Sequence, residues 1–205
     1  MKRRSKLFLI SLTVAVLFCC GCAIICFIVA SSHNSKVVII KAAGYEEGKQ
    51  PEGPDAITEA TSTGRNVHVI TQALQDSLNQ WGIATEVVLF NEADRIKNLS
   101  KNKSVQLIVF AGPAYSSQFP AQLKKTVPKV QSDILKRDIL CTCMTTCRFM
   151  DSGRWTVRSF NQHLNELGIN TMDGLVIHHE FEDKYWTSKV QIFADHILKQ
   201  LGGSE

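Results

Sequence analysis

The chain has 205 residues and a formal net charge of +4, with 20% charged and 8% aromatic side chains, a balance unlike that of a disordered or fibrous polymer. Lys2, Arg3, Arg4 and Lys6 supply the whole surplus, because residues 1–35 carry no acid and the remainder sets 19 bases against 19 acids. A basic, nucleic-acid-binding domain is disfavoured on that count.

Residues 1–6 form a basic flank to Leu7–Ala30, an apolar run interrupted only by Ser11, Thr13 and Gly21. As a helix it would extend roughly 36 Å, enough to cross a hydrocarbon core of about 30 Å with some tilt. It is longer than the apolar region of a cleavable signal peptide, about 7–15 residues. The expectation is a single-pass transmembrane anchor, with cleavage near Val29–Ser31 as the alternative. Four positive charges precede the span and one follows it closely. The N-terminus is therefore expected in the cytoplasm, and the domain beyond a linker at 31–35 on the extracytoplasmic side. Cys19, Cys20, Cys22 and Cys26 within the span read as small apolar filler or as palmitoylation sites.

From residue 36 to 205 the pattern alternates strand and helix within one domain. Lys36–Ala42 is a short continuous apolar run, as in a doubly covered parallel strand. Val67, Ile70, Ala73, Leu74, Leu78 and Trp81 recur at helical spacing up to Gly82. Ile83–Phe90 reads as a second strand, Asn91–Leu99 as a short polar helix and Val105–Ala111 as a third strand. Pro120 opens a helix that Pro128 is expected to break or kink before Val130–Lys136. Asp138–Thr142 begins a fourth strand, Thr156–Leu167 is helical and closes at Gly168, Gly174–His178 is a fifth strand, and Tyr185–Leu201 is an amphipathic helix. Strands alternating with helices imply an α/β domain: a parallel sheet covered on both faces, with ligands bound beyond the carboxyl ends of the strands.

Two loops at that edge stand out. The first, Ala43–Arg65, is rich in Gly, Pro and acid and leads through Thr61-Ser62-Thr63-Gly64-Arg65-Asn66 into a helix. Hydroxyls, backbone N–H groups and a helix N-terminus suit a phosphomonoester; the same residues also suit simple helix capping. The second, Gly112–Lys124, contains Tyr115 and Phe119, which either stack on a flat ring or pack internally.

Together these features resemble the flavodoxin-like fold, specifically the small FMN-binding flavodoxins and NAD(P)H:quinone-reductase-type proteins. TSTGRN at 61–66 is similar to the family's phosphate loop, and GPAYSSQFPAQLKK at 112–125 to its ring-contacting loop. The resemblance implies a three-layer α/β/α sandwich with a five-stranded parallel sheet in the order 2-1-3-4-5. It implies FMN as cofactor, its phosphate held by Thr61, Ser62, Thr63, Gly64, Arg65 and Asn66. The isoalloxazine would be bordered by Pro113, Ala114, Tyr115 and Ser116, and by a turn after strand four at Thr145-Thr146-Cys147. It further implies electron transfer, or NAD(P)H-dependent reduction of a quinone-like acceptor, at the membrane; two copies could associate. In the family the first strand runs almost directly into the phosphate loop, whereas residues 44–60 intervene here. The alternative is a binding module that kept the fold and lost the flavin.

Cys141, Cys143 and Cys147 are too few for a complete disulfide framework. They read as buried filler, with a Cys143–Cys147 dithiol or a metal site completed by His178 or His179 as rivals. His68, beside the phosphate loop, could help to bind an anion. Trp155 reads as core packing or as a cover for the ring.

Overall fold

The computed structural model describes residues 37–42, 62–92, 95, 104–114, 118–178 and 183–202. The expected anchor at 7–30, most of the polar helix at 91–99, and Thr61, Tyr115 and Ser116 lie outside the described residues. No helix among the described residues is long and apolar enough to cross a membrane.

Five strands form one parallel sheet: β1 (Val37–Lys41), β2 (Thr85–Leu89), β3 (Leu107–Pro113), β4 (Leu140–Cys147) and β5 (Leu175–His178). Their order is β2-β1-β3-β4-β5, as the resemblance implies. The helices among the described residues are α1 (Ser62–Gln80), α2 (Ala121–Arg137), α3 (Met150–Glu166) and α4 (Asp183–Gln200).

The alternating direction of strand side chains divides the interior into two cores. On one face Val38 and Ile40 of β1, Ile108 and Phe110 of β3, and Cys141 and Cys143 of β4 meet α2 and α3 through Leu123, Val127, Phe160 and Leu164. On the other, Val37, Ile39, Leu107, Val109 and Met144 meet α1 and α4 through Val67, Leu74, Leu78, Val190 and Phe193. Phe160 is the pivot of the first core. It stacks on Phe119 at 4.1 Å between ring centroids and meets the edge of Phe110 at 5.4 Å.

Four boundaries differ from the sequence reading. The first helix begins at Ser62 rather than Val67: no proline interrupts Ser62–Asn66, so the apolar stripe that anchors the helix carries it further toward the N-terminus. Pro128 does not divide α2. It lies on the exposed face, where the carbonyl of Lys124, deprived of its N–H partner, is open to water. β4 continues to Cys147, so Thr145, Thr146 and Cys147 are strand rather than turn. Threonine suits a pleated strand, and here it is buried against neighbouring elements rather than facing solvent. α3 starts at Met150 rather than Thr156 and carries Gly153 in its first turn. A Cβ on Gly153 would stand 2.5 Å from both the Cys147 sulfur and Val176 Cγ1, so glycine lets this turn rest directly on β4 and β5.

Replacing Phe160 by Ala removes the ring contacts that join α3 to β3 and to the loop after it and leaves a cavity. The expected loss is about 3–5 kcal/mol in urea unfolding; a loss below 1 kcal/mol would show that the ring is not the centre of this core.

Candidate functional site at the carboxyl edge

In a doubly covered parallel sheet all strands end on the same edge, and the loops there carry the polar chemistry. Ala42 donates its N–H to the Ala111 carbonyl at 2.8 Å, and Phe90 donates to the Lys41 carbonyl at 3.0 Å. Ala114 donates to the Thr146 carbonyl at 2.8 Å. These bonds hold the ends of β1, β2, β3 and β4 side by side. Gly112 brings the loop after β3 back over its own strand: a Cβ there would lie 2.8 Å from Pro120 Cγ and 3.0 Å from Leu123 Cδ1.

The expected phosphate residues Ser62, Thr63, Gly64, Arg65 and Asn66 form the opening turns of α1 in the backbone, not an extended loop; Asn66 is half-buried. The first four N–H groups of such a helix have no partner inside it. Pro113 ends β3 in a buried position, and Ala114 follows it, half-buried. Thr145, Thr146 and Cys147, expected beside the ring, are buried in β4. The turn that follows β4 is Arg148-Phe149, with Phe149 66% exposed and the Arg148 guanidinium 5.7 Å from its ring centroid. Phe119, the second aromatic of the loop after β3, is committed to the core through Phe160. Trp155 is 63% exposed on α3 and joins neither of the two cores formed by the described residues.

Two residues were missed by sequence reasoning. Phe149 lay beyond a strand expected to end sooner. Lys41 closes an otherwise apolar strand and is only 5% exposed; by strand alternation it lies on the α1 side with Val37 and Ile39. Its Nζ stands 3.1 Å from His68 Nδ1. The partial burial of His68, then the nearby Lys41 ammonium, hold the imidazole below its ordinary pKa.

The domain cysteines are free thiols and buried. Cys143 is placed within 3.5 Å of Asn161 Oδ1, and Cys147 within 3.7 Å of the Ile177 carbonyl. Burial pushes the Cys141 thiol up to about 12 and the Cys143 thiol higher still. Burial also raises Cys147, against a smaller opposing effect of the Gly153 backbone. Thiolate is the reactive form, so these groups are poor nucleophiles and poor metal ligands. No cluster of three or more metal-ligating side chains occurs among the described residues.

No family model and no curated relative matches the chain. Solved structures do. The Flv1 flavodiiron core from Synechocystis sp. PCC6803 superposes with a TM-score of 0.59 at 14% identity, over 83% of this chain and 37% of that one. Rubredoxin oxygen:oxidoreductase from Desulfovibrio gigas gives 0.60 at 10% identity, over 85% of this chain and 38% of that one. A Fusobacterium nucleatum flavodoxin bound to flavin mononucleotide gives 0.54 at 9% identity, over 80% of this chain and 97% of that one. The chain thus spans under two-fifths of the first two proteins and nearly all of the flavodoxin. The fold is flavodoxin-like.

Because the folded thiols titrate above their ordinary value of 9.0, their contribution to stability is complete below pH 9 and is lost as the pH climbs through 9 toward 12. The melting temperature should fall over that range, and less steeply in a Cys141→Ala/Cys143→Ala variant. Mass mapping after iodoacetamide treatment at pH 8 should find Cys141 and Cys143 unmodified in the folded chain. Rapid labelling of either would contradict their assignment as packing groups.

Proposed function

We propose that the chain is a flavodoxin-like FMN-binding protein acting in electron transfer, with NAD(P)H-dependent reduction of a quinone-like acceptor as its specific reaction. The observation that carries this reading is the convergence at one sheet edge of the opening turns of α1, the Pro113–Ala114 backbone and the exposed Phe149 ring. This donor set fits the group. Unpaired N–H groups at a helix N-terminus suit a dianionic phosphate, and an exposed aromatic just after β4 suits one face of a planar ring. When bound, FMN supplies the redox chemistry.

The chain's own residues then have binding and positioning roles. Ser62, Thr63 and Gly64 hold the phosphate through backbone N–H groups that have no partner inside the helix, and Thr61, Arg65 and Asn66 flank them in the chain. Pro113, Ala114, Tyr115 and Ser116 border the ring from the loop after β3. Thr145, Thr146 and Cys147 act behind them, fixing the end of β4 so that Phe149 is presented at the edge. No acidic or basic side chain is required to move a proton. In the same proposal Leu7–Ala30 tethers the domain to a membrane, with the N-terminus cytoplasmic and the domain on the extracytoplasmic side.

The test uses the full chain, extracted with detergent from membranes that alkaline carbonate does not strip. Incubated with excess FMN and desalted, it should retain a yellow chromophore. Phe149→Ala should weaken FMN binding about tenfold, the value of roughly one aromatic stacking contact. A colourless protein with no FMN-dependent shift in melting temperature would defeat the flavin reading and leave the flavin-free binding module. Release by carbonate would defeat the anchor alone.

A further inference from the structure

We propose that the outward side of α2 and α3 is a docking surface for a bilayer containing anionic phospholipid. Trp155 enters the headgroup layer, and the lysines of α2 face lipid phosphates. The proposal goes beyond the flavin reading and does not depend on it.

The helix period supplies the geometry. α2 buries Leu123, Val127, Val130 and Ile134. Lys125, Lys129 and Lys136 follow Leu123, Val127 and Ile134 by two positions, roughly 200° around the helix, and all three are exposed. On α3, Trp155 and Arg158 follow the buried Gly153 and Thr156 in the same way, and both are exposed. α2 and α3 meet one core on one face of the sheet, so their outward sides look the same way.

Charge identifies the partner. Residues 121–166 carry eight lysines and arginines against four acids. Among the described residues Lys125, Lys129, Lys136 and Arg158 enter no ion pair. Of the acids, Asp151 shares the outward side and lies 3.9 Å from Arg154, both well exposed. Glu166 is at the far end of α3, where Gln162 donates to it. The opposite face, covered by α1 and α4, also exposes apolar side chains, Val69 and Ile192. Its helices carry four bases against three acids, so charge there nearly cancels. Only the α2–α3 side joins surplus positive charge to an indole that is 63% exposed. That pairing is the signature of an interfacial surface: ammonium groups reach phosphates while their stems and the aromatic ring lie against apolar material. From Lys125 to Lys136 is roughly 16 Å of helix, and Arg158 extends the charge to a second helix. A continuous charged plane meets such a spread without a matching contour, which favours a bilayer over an acidic protein.

The test uses the full chain in nanodiscs of phosphatidylcholine, with or without phosphatidylglycerol, whose brominated acyl chains quench tryptophan. The Trp155 signal is the difference between the chain and its Trp155→Phe variant, a substitution at an exposed position. Quenching of that signal should require phosphatidylglycerol and be relieved by added salt. Each lysine near an anionic surface is worth about fivefold. Lys125→Gln/Lys129→Gln/Lys136→Gln should therefore weaken the contact roughly 100-fold and abolish the quenching. A Trp155 signal untouched by either lipid, equal quenching in both, or quenching that survives the triple substitution would overturn the proposal. So would a Trp155 signal shifted by soluble polyglutamate but not by lipid, which would assign the face to an acidic protein. The quencher reports lipid at Trp155 whether or not residues 7–30 span the bilayer. Release by carbonate would thus defeat the anchor, and a colourless protein the flavin, with this result standing apart from both.

Discussion

Strands β1, β3 and β4 bury side chains on both faces, so their backbone N–H and C=O groups have only lateral partners in the sheet. That demand is met by unbroken parallel registers, Val37–Lys41 against Leu107–Ala111 and Leu107–Pro113 against Leu140–Thr146. A parallel strand must be re-entered from the same end, and α1, α2 and α3 make the crossovers from β1 to β2, β3 to β4 and β4 to β5. The chain can change direction only at the two edges of the sheet. Everything proposed about chemistry depends on this restriction, which gathers the ends of β1, β3 and β4 at one edge while the apolar interior stays closed.

Burial is distributed along the strands to match. Val37–Ile40 and Leu107–Ala111 are apolar and form the two cores, each large side chain there contributing roughly 1.5–3 kcal/mol. The buried polar residues of the sheet are Lys41, Thr142, Thr145 and Thr146. Lys41 is the last residue of β1, and Thr145 and Thr146 lie in the final turn of the pleat before β4 ends. Thr142 shows how such groups are accommodated: its hydroxyl lies within 3.0 Å of the Asp173 carbonyl and 3.3 Å of that of Met172. Lys41 brings a charge into the same layer, and His68 meets it at hydrogen-bond distance. A buried charge is retained at a cost that only good partners offset.

How far the sequence spoke for itself followed the strength of each local signal. β1, β3 and β5 were legible because Val, Ile and Leu run on without interruption, and α1 and α4 because their apolar residues keep helical spacing. The strand order came through the resemblance carried by the two loops, not through periodicity. β4 was read short because Cys-Thr-Cys-Met-Thr-Thr-Cys has neither a continuous apolar run nor polar alternation; its burial comes from α3 and β5, which a local pattern does not contain. The start of α3 was hidden by Gly153, an unfavourable helix residue placed there for close approach to Cys147 and Val176. The role of Phe149 was lost with the end of β4. Lys41 was read as the end of a strand because nothing in its neighbours discloses a histidine 27 residues away.

Hydrogen–deuterium exchange of the full chain, with and without FMN, tests the central claim most directly. Bound FMN should slow exchange at the carboxyl edge, in the opening turns of α1, at Gly112–Ala114 and at Arg148–Met150. Exchange at the opposite edge, around Asp138–Ile139, Gly168–Asn170 and Leu201–Gly202, should be unchanged. Protection confined to that opposite edge, or no protection anywhere at saturating FMN, would contradict it.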